Sequence, residues 1–195
     1  MPIQSSVGRS IQVEATAAGH EAAEQAFSGL HGKDPSLYLV FSSVVYDQQS
    51  MLDGVRSVSG QVPLLGCSTA GEITTAGPSK KSVVVMAIAS EGMTFHLGKG
   101  DNIKQNAVAA GEAFAQDLLS KTANGKVVMM MPDGLAGNGA DIVRGMQARL
   151  GQQFLIAGGA AGDDFLFKQT YQYYNDQLLS DSVVGAIVEG DIKFG

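Results

Sequence analysis

Apolar and polar residues follow one another along this chain in blocks that predict helices separated by short buried strands. Apolar residues recur at helical spacing over residues 18–30, 47–59 and 104–120. A fourth helix is predicted to begin after an N-cap at Asn138 and to reach Leu150. Between them lie continuous apolar runs too short for typical helices, as expected of strands covered on both faces. These runs span 36–43, 62–65, 126–132 and 154–157. The pattern predicts a mixed α/β fold with helices packed on a mixed sheet.

Antiparallel strands are predicted to complete this fold. A short strand is expected at residues 9–14, and residues 81–90 and 92–99 predict a hairpin joined near Glu91 and Gly92. Residues 165–174 and 177–190 contain the strands of a closing hairpin pair, with a turn at Asn175 and Asp176.

The order of predicted elements occurs twice, over about 18–99 and 104–195, and a short motif accompanies it. Residues 65–72 (LGCSTAGE) have an echo in residues 156–163 (IAGGAAGD), and each motif follows a predicted strand. Weaker matches flank them, with 53–56 answering 141–144 and 82–84 answering 182–184. We predict two pseudo-symmetric halves, each helix, strand, helix, strand and hairpin. Because no Pro/Ser-rich linker separates the halves, residues 1–195 are expected to form one intertwined domain.

Composition narrows the class of protein. A chain of 195 residues that is 45% hydrophobic can bury a core, and its 13 basic against 19 acidic residues give a net charge of -6, which disfavours nucleic acid. No apolar run approaches the ~20 residues that cross a bilayer, and the N-terminus lacks a secretory signal. We expect a cytoplasmic protein that does not enter the membrane.

The first motif raises the question of covalent catalysis. It places Cys67 and Ser68 between a buried strand and Gly71, where either side chain could act as a nucleophile. The second motif has Gly158 and Gly159 in place of the cysteine and serine, so the purpose that both share is geometry or binding. A small buried hydrophobe is the ordinary alternative for Cys67. We therefore expect a protein that is not an enzyme.

Two other features could bind a cofactor, and both have ordinary structural explanations. Residues 133–141 (DGLAGNGAD) resemble a phosphate loop, but they lack a Lys-Ser/Thr sequel and carry two carboxylates that repel phosphate. His96 lies in a predicted strand and is either a haem or metal ligand or, more commonly, a solvent-facing or hydrogen-bonded side chain. With one cysteine and three histidines, a structural zinc site is not expected.

The residues 66–72 (GCSTAGE), followed by 158–164 (GGAAGDD), resemble the N-terminal part of FIST domains over essentially the whole chain. The resemblance implies an intracellular sensory module of signal transduction that binds a small ligand, with amino acids as the proposed class. It also implies an alternative, a haem-containing nitric oxide sensor acting on a histidine kinase, for which His96 would be the axial ligand. Family members continue into a C-terminal FIST domain, which is therefore a possible partner holding part of the ligand site.

The leading hypothesis is a non-enzymatic sensory domain in which the two motifs line a ligand cleft near the pseudo-symmetry axis. Glycines in such a cleft allow close backbone approach, while hydroxyls and carboxylates fix a ligand's orientation. The predicted ligand contacts are Cys67, Ser68, Thr69, Gly71, Glu72, Gly158, Gly159, Ala160 and Asp163. The alternative is an enzyme that uses Cys67 or Ser68 as nucleophile.

Overall fold

The computed structural model describes residues 3–191, which form two large β-sheets packed face to face, with two helices on the outer face of each, and a small two-stranded sheet. The elements in chain order are β1 (Ile3–Ser10), α1 (Ala15–Ser28), β2 (Leu37–Ser43), α2 (Gln48–Ser59), β3 (Leu64–Thr69), β4 (Glu72–Thr74), β5 (Gly77–Ser79), β6 (Val83–Ser90), β7 (Met93–Asp101), α3 (Ala107–Leu119), β8 (Gly125–Pro132), α4 (Gly139–Leu150), β9 (Leu155–Gly158), β10 (Gln172–Tyr174), β11 (Gln177–Leu179) and β12 (Ser182–Gly190). The predicted mixed α/β class is confirmed.

The two sheets use the same strand order. The first runs β1-β6-β2-β3 and continues into β10-β11, and the second runs β7-β12-β8-β9. In each sheet one pair is parallel, β2 with β3 and β8 with β9, and the remaining neighbours are antiparallel. The parallel pairs are joined by α2 and α4, as crossover connections require.

Glycines bring the helices of each pair into close contact. A Cβ on Gly19 or Gly54 would lie within 3.0 Å of a backbone carbonyl oxygen of the facing helix, and the same holds for Gly111 and Gly145 in the second pair. Only glycine permits this separation of the helix backbones. Helices α1 and α2 therefore approach each other as closely as α3 and α4 do. The helical spacing of apolar residues does not predict this close contact.

Three apolar cores hold the layers together. One lies between α1, α2 and the first sheet, a second lies between α3, α4 and the second sheet, and a third lies between the sheets. The third includes Leu39 and Leu65 from the first sheet and Met131 and Val184 from the second. Burying each such side chain contributes about 1.5–3 kcal/mol, so the contact between the sheets is a substantial part of the fold.

The second half of the chain also completes the first sheet. Strand β10 pairs antiparallel with β3, and the Asn175-Asp176 turn leads into β11 as predicted. A buried polar network secures this arrangement, because the Tyr173 hydroxyl donates to Gln48 Oε1 at 2.5 Å and lies 2.7 Å from Ser42 Oγ.

Several strand predictions were wrong. Residues 81–90 and 92–99 do not form a hairpin, because β6 belongs to the first sheet and β7 to the second. The tight connection at Glu91 and Gly92 passes between the sheets. Likewise β11 and β12 lie in different sheets, residues 165–171 form a loop, and the N-terminal strand lies at Ile3–Ser10 rather than at 9–14.

Within residues 3–191 the longest helix, α1, has 14 residues, and none of the helices there has the length and apolar character needed to cross a bilayer.

Candidate functional site

The two sequence motifs meet at the carboxyl end of β3. The Gly162 N–H donates to the Ser68 carbonyl at 2.9 Å, and the Ser68 hydroxyl donates to the Gly162 carbonyl at 2.6 Å. The Asp164 N–H donates to the Thr69 carbonyl at 3.1 Å. The loop after β9 thus crosses to the first sheet and packs directly on the first motif, so open space lies beside the motifs rather than between them.

The repeat has a different register in the structure from the one that the sequence echo suggested. Gly66 lies opposite Val40, and Gly158 lies opposite Met130 in the corresponding strand pair. A Cβ on either glycine would lie within 3.0 Å of the carbonyl oxygen of its partner. Gly66 therefore corresponds to Gly158 and not to Ala157, which shifts the match by one residue. Beyond the strands the echo ends, because residues 70–71 lead to β4 whereas 159–171 lead to β10.

Cys67 and Ser68, the candidate nucleophiles, are both buried. Cys67 is 4% exposed in the core between the sheets, and burial raises the pKa of its thiol to about 12. A thiol that stays protonated at neutral pH is a poor nucleophile. Ser68 is fully buried, and its hydroxyl accepts the Tyr171 N–H at 2.9 Å while it donates to Gly162. Both side chains serve the packing of the motif.

Glu72 makes its contacts inside the protein. It is 2% exposed and accepts hydrogen bonds from the Thr69 hydroxyl and the Ser82 hydroxyl, each at 2.5 Å, and from the Ser82 N–H at 3.3 Å. These bonds fix the start of β4 against the start of β6. Thr69 and Glu72 thereby stabilise the turn around Gly71.

Asp163 organises the segment that follows it, residues 163–169, which we call the apolar loop. Its carboxylate accepts the N–H groups of Phe167, Lys168 and Gln169 at 3.1, 2.6 and 3.2 Å. Burial opposes ionisation of Asp163, but these backbone hydrogen bonds outweigh it and lower the pKa of the carboxyl group. Asp163 is therefore the residue that shapes the loop.

The apolar loop presents unusual features to solvent. Phe165, Leu166 and Phe167 are 71%, 55% and 74% exposed. Asp164, Phe165 and Phe167 have φ values of 55°, 62° and 53°, in the left-handed region that bulky residues rarely adopt. Such conformations cost about 1–3 kcal/mol each and collect at functional sites. The sequence pattern predicts a strand within 165–174, although the run DDFLF changes from polar to apolar residues here.

A groove opens beside this loop at the carboxyl ends of β2 and β3. It consists of two adjoining cavities of about 330 and 380 Å³ that share Ala70 and Lys80. Ligands of open α/β sheets bind outside the carboxyl ends of the strands, which is where this groove lies. Its lining residues are Val44, Val45, Ala70, Gly71, Ile73, Pro78, Ser79, Lys80, Lys81, Asp164, Phe165 and Leu166.

The groove combines an apolar lining with charges of both signs. Asp164 lies in the lining, and its carboxylate accepts the Ser43 hydroxyl at 2.5 Å. Lys80 and Lys81 are exposed and belong to the same lining. The Lys81 carbonyl accepts the Tyr46 hydroxyl at 2.8 Å, which anchors this segment of backbone. A zwitterionic or amphipathic small molecule matches this arrangement.

Among the predicted ligand contacts, Gly71 lines the groove and Thr69 lies at the end of the strand that leads to it. Gly158, Gly159 and Ala160 are exposed on and after β9 in the second sheet. The sequence pattern does not bring Val45, Lys80 or Lys81 together with the apolar loop, because their proximity depends on how the loop crosses between the sheets.

His96 does not fit the role of a haem ligand. Its Nε2 lies 3.1 Å from Glu189 Oε2, and Glu189 also accepts from the Thr122 hydroxyl at 2.6 Å and from the Asn124 side chain at 3.3 Å. Hydrogen bonds from Thr122 and His96 lower the pKa of Glu189. The ring nitrogen that would coordinate iron is thus held by a carboxylate, and the adjacent cavity carries Arg56 and Lys121.

The glycine-rich segment after β8 uses two of its backbone N–H groups within the protein. The Asp133 carboxylate accepts the N–H groups of Leu135 and Ala136 at 2.8 and 3.1 Å, so these amides are occupied. Asn138 caps α4 as predicted, accepting the Ala140 N–H. Among residues 3–191, no three His, Cys, Asp or Glu side chains are grouped to hold a metal ion.

Comparisons of this chain with known sequences, structures and protein families assign it to a family. No curated protein sequence matches the chain. Solved structures that match include cyanuric acid hydrolase from A. caulinodans, at 9% identity and a TM-score of 0.45, with 97% of this chain and 72% of that chain covered. The model of the FIST N domain matches residues 36–195. Since that match takes in most of the chain, the protein belongs to the FIST N domain family, a family of sensory modules in signal transduction.

Proposed function

We propose that this sensory domain binds a free amino acid in the groove beside the apolar loop. The observation that carries the proposal is the joint presence of Asp164, two lysines and an apolar lining in one cavity. A volume of about 330 Å³ lies at the small end of ligand pockets, which run from about 300 to 1,000 Å³.

Each part of an amino acid has a counterpart in this groove. The α-ammonium group is a partner for the Asp164 carboxylate, and the α-carboxylate is a partner for Lys80 or Lys81. An apolar ligand side chain would contact Val45 and Phe165. Such pairs are stronger where apolar walls exclude water, because the effective dielectric constant is lower there.

The apolar loop connects ligand binding to an output. A ligand that contacts Asp164 and Phe165 has a different affinity for different arrangements of the loop, and this difference shifts the population among them. Phe165 and Phe167 are largely exposed, so a shift of the loop would alter an apolar surface available to a partner. A histidine kinase or a C-terminal FIST domain is the proposed partner, and the cytoplasm is the proposed location.

A thermal-shift screen of the free amino acids, followed by calorimetry, tests the proposal. A ligand at a hundredfold excess over its Kd stabilises the folded protein by about 2.7 kcal/mol. We expect Lys80→Gln and Asp164→Asn to weaken binding about tenfold or more, since each removes a charge that faces the ligand. Lys33→Gln is the matched control, because Lys33 is exposed and lines a different cavity at the amino end of β2.

Two results would count against the proposal. One is the absence of stabilisation by every amino acid at millimolar concentration. The other is that the Lys80→Gln and Asp164→Asn variants bind the amino acid with the same affinity as the Lys33→Gln control. That result would place the ligand outside this groove.

A further inference from the structure

The contact between β10 and β3 is a strand addition between the two halves of the chain. The β10-β11 hairpin comes from the second half, yet it extends the first sheet, with Tyr173 directly opposite Gly66. Tyr173 is fully buried, and a Cβ on Gly66 would lie within 3.0 Å of its ring. The hairpin thus uses a large side chain that packs over a glycine in the edge strand.

The first half carries the corresponding hairpin, β4-β5, which has no such partner strand in the part of the chain that the structure describes. Hairpin β4-β5 leads to β6 through Lys81 at φ 54°, and β10-β11 leads to β12 through Asp181 at φ 53°. The position of Tyr173 in β10 is that of Ile73 in β4, since each is the middle residue of the first strand of its hairpin. Ile73 is 80% exposed, and within the described residues β4 and β5 pair with each other alone.

The second sheet carries the corresponding edge, and no further strand of residues 3–191 pairs with it. Strand β9 is the last strand of its sheet, and Gly158 occupies the place that Gly66 has in β3. The Gly159 N–H donates to Met130 in β8, so the backbone groups of Gly158, one residue earlier, point to the open side. Leu155, at the start of this strand, is 52% exposed.

We propose that two copies of this chain associate by exchanging these elements, with β4 of each copy pairing antiparallel with β9 of the other. In the register of the β10-β3 contact, Ile73 of one copy packs over Gly158 of the other, and Thr74 lies opposite Ala157. One chain supplies both the free hairpin and the free edge, so a two-fold exchange satisfies both elements at once. Open edges are otherwise a route to aggregation. The association requires no ligand, although Ile73 also lines part of the groove and the association would cover that part.

Mass measurement over a range of concentrations is the first test. Light scattering or sedimentation should show a species of twice the 20.2 kDa chain mass. Ile73→Asp should weaken the association about tenfold or more, since it buries a charge without an opposite charge where Ile73 packs on Gly158 of the partner. Val13→Asp is the control, because Val13 is 96% exposed between β1 and α1 and the charge change is the same. A chain that stays monomeric up to millimolar concentration overturns the proposal, and so does a dimer that both variants affect equally.

Disulfide trapping tests the register. Thr74→Cys combined with Ala157→Cys should give a covalent dimer on mild oxidation, because these positions face each other across the proposed pair. The native Cys67 is buried and contributes little background. Thr75→Cys with Ala157→Cys is the control, since residue 75 lies in the hairpin turn. Equal crosslinking of the two pairs, or none in the first, contradicts the strand exchange.

Discussion

Replacing Tyr173 with phenylalanine should destabilise the protein through the loss of one hydroxyl group. That hydroxyl belongs to β10, and it contacts Gln48 in α2 and Ser42 in β2. It therefore ties the hairpin from the second half of the chain to the helix and sheet of the first half. Tyr173 is fully buried, so water cannot take the place of the missing group.

The size of the stability loss in Tyr173→Phe follows from the hydrogen bonds that remain to Ser42 and Gln48. Without the Tyr173 hydroxyl, Ser42 and Gln48 keep one mutual hydrogen bond, from Ser42 Oγ to Gln48 Oε1 at a long 3.4 Å. Leaving a buried polar group without a good partner costs about 1–3 kcal/mol. For a domain of this size, each kcal/mol lowers the melting temperature by about 2–4 °C. We expect Tyr173→Phe to lower it by roughly 2–12 °C.

Tyr38 provides the matched control for this experiment. It is also fully buried, but its hydroxyl has no hydrogen-bond partner among the described residues. Tyr38→Phe removes the same atom and should leave stability unchanged or slightly higher. Urea denaturation and calorimetry of both variants give the comparison. Equal losses in the two variants, or a change within about 0.5 kcal/mol for Tyr173→Phe, would refute the reasoning.

Three further predictions concern stability and reactivity. Asp163→Asn should cost about 2–4 kcal/mol in urea denaturation because three N–H groups lose a charged acceptor, whereas Asp53→Asn on the exposed face of α2 should change little. The pKa of Asp163 is lowered from 3.8, so its contribution is complete above that pH and is lost as the pH falls through the folded value. Gly145→Ala should cost about 1–3 kcal/mol by forcing α3 and α4 apart, while Gly139→Ala, with open space around it, should be neutral or stabilising. Cys67, with a pKa of about 12, should react with iodoacetamide in the folded protein far more slowly than in urea; rapid labelling of the folded protein would revive the nucleophile hypothesis.

The elements of this fold were largely predictable, and their pairing was not. Helical spacing over 47–59 and 104–120 corresponds to Gln48–Ser59 and Ala107–Leu119, because each helix buries one face. Strands buried on both faces show no alternation that distinguishes a hairpin from a change of sheet. The sequence therefore predicts a hairpin at 91–92, although this connection joins two sheets.

The position of the special turns was visible in the sequence, but the role of their side chains was not. The hydroxyl of Ser68 and the carboxylates of Glu72 and Asp163 have the same chemistry whether they bind a ligand or the protein itself. Ser68 and Gly162 are 94 positions apart in the chain, so their contact depends on the tertiary fold. Lys80 and Asp164 share a groove for the same reason.

The origin of the hairpin that covers β3 has a consequence for synthesis of the protein. Strand β3 ends at Thr69, whereas its covering strand β10 ends at Tyr174. At about 5–20 residues per second, a ribosome needs on the order of ten seconds to make the intervening chain. During that interval the nascent first half exposes the unpaired edge of β3 and the surface at Gly66 that the Tyr173 ring later covers. We expect a nascent chain stalled before Gln172 to be bound by chaperones, and the full-length chain, which has both β10 and the central strand β12 of the second sheet, to escape them.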